Sequence, residues 1–150
     1  MKKNAFTMIE LVFVIVILGI LAAVAIPKLA ATRDDAKSAK AAMEIATAIH
    51  DMGSYYTAKG AYNYDATLMT NVELTQEGGN TGEIAAGESE IWNYMVGAEN
   101  CIDMNVTGDG NISIIDGSSS VSICKGIQNA VQHLKNNSPH KYGASSALFN

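Results

Sequence analysis

The sequence predicts an α+β fold: a long N-terminal helix, apolar in its first half and amphipathic in its second, packed on a small head of antiparallel strands. Three observations predict it. Residues 11–26 carry no charge. Apolar residues recur at helical spacing from Ala42 to Tyr56. Short apolar runs alternate with Gly- and Asp-rich turns between Cys101 and Cys124. The 150 residues suffice for one ordinary domain and not for two. Hydrophobic residues make up 48% and charged ones 17%, below the roughly 25% usual in soluble proteins, so disorder of the whole chain is excluded.

The first element is the apolar helix. Lys2 and Lys3 precede a run from Phe6 to Ile26 whose only acid is Glu10. A helix of that length spans about 30 Å, the thickness of a bilayer's hydrocarbon core. Three readings compete: a secretory signal peptide ending near Ala23-Val24-Ala25, an ordinary membrane anchor, and a processed anchor with a second use. All three keep Lys2 and Lys3 in the cytoplasm. Glu10 separates them, because a carboxylate in lipid costs several kcal/mol unless it finds a partner. A discarded signal has no use for it; a helix that docks to a neighbour does.

The string Ala5-Phe6-Thr7-Met8-Ile9-Glu10-Leu11, followed by the apolar residues 12–26 and Pro27, resembles the prepilin leader and helix of type IV pilins and type II secretion pseudopilins. The resemblance covers roughly residues 1–35. It implies a pilin-like fold with a leader at residues 1–5, a transmembrane and filament-core helix at 6–27, an amphipathic helix at 28–59 and a globular head at 60–150. It implies cleavage by prepilin peptidase between Ala5 and Phe6, and N-methylation of Phe6. Glu10 is then the assembly acid that neutralises the amine of a neighbouring subunit. The family usually has Gly before the cut; Ala5 stands there, and a small residue still fits. The resemblance also implies that the helix loosens between Gly19 and Pro27 in a filament; in an isolated subunit a mild kink is expected, since Gly weakens a helix and Pro removes one of its bonds.

The implied partners are further copies or related pilins, an inner-membrane assembly platform with its ATPase, and membrane lipid. The implied location is the bacterial inner membrane, N-terminus cytoplasmic, before assembly into a surface pilus or a periplasmic pseudopilus. A head of this size with a disulfide favours the pilus, as does the lack of a Tyr-Pro-Thr-rich stretch in residues 60–100. A calcium loop favours the pseudopilus. A membrane-tethered calcium- or ligand-binding module is the reading from another class.

The second helical element follows Pro27. Ala42, Ile45, Ile49, Met52 and Tyr56 recur at spacings of three and four, with Lys37, Lys40, Glu44, Thr47 and Asp51 on another face. Gly53 is a weak point and Gly60 a stop. In the head, Ala66 to Leu74 reads as a short helix or irregular loop, and Gln76 to Gly87 as a surface loop. Ile91 to Val96 is apolar and buries against the helix, with Trp92 a core residue. Cys101–Val106, Ile112–Ile115 and Val121–Cys124 read as three strands, with turns at 107–111 and 116–120. Residues 127–136 read as a short helix.

An exported head meets an oxidising compartment, so Cys101 and Cys124 are expected to pair; the alternative is two buried thiols. Asp103, Asn105, Thr107 and Asp109 match the start of a calcium loop, with Ile114 where the bidentate acid belongs. The same Gly and Asp residues are ordinary in hairpins. No other cofactor is expected. No nucleophile elbow, phosphate loop or zinc-protease motif is present, and an enzyme is not expected. Residues 60–124 hold ten acids and no Lys or Arg, which argues against nucleic acid along the middle of the head. After Asp116 come Lys125, Lys135 and Lys141 and no acid, so acidic middle and basic end are expected to attract between subunits.

Overall fold

The computed structural model describes residues 7–143. Cleavage and methylation at Ala5 and Phe6 lie outside the described residues. The chain divides into two compact units after Ala36.

The first unit is the apolar part of α1, the helix Met8–Lys59. Its apolar window is long enough to cross a membrane by length and composition, and none of it is buried. Large side chains such as Phe13, Leu18, Leu21 and Ile26 are all exposed. Both Gly19 and Pro27 lie inside α1. A Cβ at Gly19 would meet nothing within 4 Å, so no neighbour in the chain requires glycine there.

The second unit holds the rest of α1 and the head. Ser38, Ala41, Ile45, Ala48, Ile49 and Met52 turn inward at helical spacing. The helix stops where Gly60 adopts φ +80°, and the Gly60 amide donates to the Tyr56 carbonyl at 2.7 Å. That left-handed cap is cheap for Gly alone. Next come β1 (Tyr62–Asn63), a single 3-10 turn (Ala66–Leu68), β2 (Thr75–Gln76), β3 (Glu83–Ile84), β4 (Ser89–Val96), β5 (Glu99–Thr107) and β6 (Asn111–Asp116). Two short helices, α2 (Ser122–Ala130) and α3 (Gln132–Asn136), and the strand β7 (His140–Lys141) complete the described chain.

β1 and β3 form a two-stranded ribbon, and the others a five-stranded antiparallel sheet in the order β2-β4-β5-β6-β7. Register sets the core. Trp92, Met104 and Ile114 stand opposite one another across β4, β5 and β6, as do Glu90, Val106 and Ile112. Alternation along β5 sends Ile102, Met104 and Val106 into the core with the buried side of α1. Trp92 is fully buried, a core aromatic.

Residues 91–96 bury Trp92 and Tyr94 in the core as expected, and do so as part of the strand β4. Two expectations are corrected. Residues 76–87 contain strand segments, and Ile84 is fully buried against the core, so they are not all surface loop. The expected third strand, Val121–Cys124, is the start of α2. Cys124, Ile127, Val131 and Leu134 follow at spacings of three, four and three, so Cys124 lies in phase with the helix behind it. Periodicity alone does not decide so short an apolar run.

Candidate functional site

Glu10 stands in the first turn of α1. The Thr7 amide donates to Glu10 Oε2 at 2.8 Å and the Thr7 hydroxyl to the same oxygen at 2.7 Å. In return the Glu10 amide donates to Thr7 Oγ1 at 3.3 Å. This reciprocal capping box satisfies two donors that every helix start leaves open. The Thr-x-x-Glu spacing from Thr7 to Glu10 carried that signal in the sequence, beside the family pattern that drew attention to Glu10 alone. The cap also sets Glu10 at the positive end of the helix dipole, where a carboxylate is stabilised. Everything around it up to Ile26 is apolar and exposed.

In the head, Cys101 and Cys124 form a disulfide, with Cα atoms 4.7 Å apart and both residues fully buried. It ties β5 to α2, not to a third strand. The Gln128 side chain donates to the Cys101 carbonyl from the same helix, at 3.2 Å. The 117–121 connection is pinned beside it, with the Gly117 amide on the Cys101 carbonyl and the Ser119 amide on the Asn100 carbonyl.

Asp103, Asn105 and Thr107 fall along β5 and Asp109 in the turn after it. Asp103 already accepts from Asn100 Nδ2 at 2.8 Å. In a strand, alternate residues stand about 7 Å apart on one face, whereas calcium gathers its oxygens within about 2.6 Å of the ion. Asp103, Asn105 and Thr107 lie along the strand, and Asp109 in the turn beyond it. The described residues hold no group of three or more His, Cys, Asp or Glu side chains placed for a metal. An open groove of about 1050 Å³ runs past Asp109, lined also by Tyr56, Glu83, Asn111 and Lys141.

The second half of α1 is joined to the sheet by a polar bridge. Tyr94 on β4 donates its hydroxyl to Glu44 at 2.5 Å, and Lys40 pairs with Glu44 at 2.8 Å. The Lys40 bond first, and then the Tyr94 hydroxyl, hold the Glu44 carboxyl below its ordinary value. Burial, and then the carboxylate, push the Tyr94 phenol upward.

Comparison with known proteins adds one finding. Residues 1–26 match the model of the prokaryotic N-terminal methylation motif.

The chain carries a prepilin-type signal of the type IV pilin and pseudopilin kind. The matched residues include Ala5, Phe6 and Glu10 and the start of α1. The fold agrees with it: a long N-terminal helix, the second half of which packs on an antiparallel sheet, is pilin-like. No curated protein and no solved structure matches the chain.

Proposed function

We propose that this protein is a structural subunit of a type IV pilus-type filament. One coincidence supports the reading: a prepilin-type signal runs into a helix with an acid in its first turn and an otherwise apolar, unburied surface. That surface needs lipid or other helices around it. The chain enters the inner membrane with Lys2 and Lys3 in the cytoplasm. Prepilin peptidase cuts between Ala5 and Phe6, and the new Phe6 amine is methylated. An assembly platform and its ATPase then lift the subunit from lipid into the filament, alone or with related pilins. The apolar surface exchanges lipid for neighbouring helices, so close packing and the pairing of Glu10 with a neighbour's amine supply register. In a low-dielectric bundle that pair attracts far more strongly than in water.

Mass spectrometry of the mature N-terminus tests the processing. A methylated start at Phe6 is expected; a start at Ile26 would mark a discarded export signal. Glu10→Gln is expected to leave the membrane level unchanged and abolish filaments. Intact assembly in Glu10→Ala, with ligand binding lost in head variants, would favour a tethered binding module instead. Immunogold labelling separates pilus from pseudopilus by where the filaments stand, outside the cell or confined to the periplasm.

A further inference from the structure

Two stretches match the acceptor pattern for N-linked glycosylation, Asn105-Val106-Thr107 and Asn111-Ile112-Ser113. Each has an aspartate two residues before its asparagine, Asp103 and Asp109. The residues alone do not choose between them, and Asn and Gly are also ordinary hairpin residues. The structure separates the two.

Asn105 sits in the middle of β5, between Ile91 of β4 and Ser113 of β6. Its amide oxygen is sealed from solvent and, among the described residues, has no hydrogen-bond partner. The carboxylate before it, Asp103, is taken by the Asn100 amide at 2.8 Å. Asn111 is instead the first residue of β6, directly after the turn at 108–110. Among the described residues its side chain makes one long hydrogen bond, from Nδ2 to Thr107 Oγ1 at 3.4 Å. Alternation along β6 buries Ile112 in the core and turns Asn111 and Ser113 the other way. Both line the open groove of about 1050 Å³, and so does Asp109. Asp109 is exposed, and among the described residues it has no ion pair. The amide, hydroxyl and carboxylate of the second stretch therefore border one open concavity.

We propose that Asn111 is the acceptor of an N-linked oligosaccharide and that Asn105 is not. The proposal rests on the reading that the head is exported, because it requires a transferase and a polyprenyl-diphosphate-linked sugar at the outer face of the membrane. In the transfer, Asn111 Nδ2 attacks the anomeric carbon of that sugar. The C–N bond forms as the C–O bond to the diphosphate breaks. The polyprenyl diphosphate leaves with the electron pair, and one amide proton passes to a base of the transferase. The Ser113 hydroxyl and the Asp109 carboxylate are the groups by which the transferase holds the segment, the carboxylate through a charge-assisted hydrogen bond. A sugar on Asn111 lies along the groove and leaves the core beneath Ile112 undisturbed. One on Asn105 would have to stand between its strand neighbours over a sealed amide.

Peptide mass spectrometry of the full chain, extracted from its host, tests this. Cleavage before aspartate places the two asparagines on separate peptides, residues 103–108 and 109–115. The second peptide is expected to carry the mass of an oligosaccharide and the first to be unmodified. Asn111→Gln and Ser113→Ala are each expected to abolish the added mass, Asn105→Gln and Ser113→Thr to keep it, and Asp109→Asn to lower the modified fraction. Head melting temperature confirms that the variants fold. An unmodified 109–115 peptide in the wild type overturns the proposal, as does added mass that survives Asn111→Gln, the outcome for a sugar on a serine hydroxyl. A methylated Phe6 in the same sample then leaves the filament reading standing. A chain that still begins at Met1, with free thiols at Cys101 and Cys124, overturns both.

Discussion

At Glu10 a single carboxylate does one job that the free chain displays, and the proposed filament would give it a second. It closes a cap with Thr7, which fixes the helix start. Gly108 is the clearest packing constraint at this scale. A Cβ there would stand 2.0 Å from the Ala85 carbonyl oxygen, a backbone atom that cannot swing aside. Gly108→Ala is therefore expected to destabilise the head by about 1–3 kcal/mol in a denaturant melt. A loss below a few tenths would mean that the 85–88 turn yields freely. Calcium belongs to this scale too. Because Asp103, Asn105 and Thr107 are spread along β5, millimolar calcium is expected to leave the melting temperature of the head unmoved. A rise seen in wild type and absent in Asp103→Asn would restore calcium binding by these residues.

The polar bridge between α1 and β4 shows how elements were read and misread. The amphipathic half of α1 was legible because its inward residues recur within one helix, a local property. Which strand that helix would meet was not, since the pairing of Tyr94 with Glu44 links residues 50 apart. The bridge has a pH signature. The folded head holds Glu44 ionised below its ordinary value of 4.5, so its contribution is complete above that pH. It fades as pH falls through the lower folded value, where the carboxyl takes its proton. Glu44→Gln is expected to lose stability at pH 7, and the difference from wild type to shrink as pH falls below 4.5 in parallel thermal melts. A constant difference across that range would remove ionisation from the explanation. Val121–Cys124 teaches a related lesson. Four residues with three apolar side chains fit strand or helix equally, and their phase with Ile127 and Val131 becomes decisive only once the disulfide seats Cys124 in the core.

Across the whole head, the disulfide joins the sheet to the helices that follow it. Replacing Cys101 and Cys124 with Ser is expected to cost about 3 kcal/mol in urea unfolding, because the cross-link between residues 23 apart no longer restricts the unfolded chain. Filament formation by that variant at low temperature would separate the stability of the head from the assembly chemistry of the helix. The sequence by itself determined the apolar helix, the acid in its first turn, the amphipathic continuation and its stop at Gly60. Each depends on residues within a few turns of one another, and hydrophobic spacing reports such local order directly. Only the tertiary structure decided the central place of β4, the two-residue edges β2 and β7, the burial of Ile84 and the helical start at Ser122. Those depend on strand pairing and burial between distant segments, and no short window of sequence holds both partners.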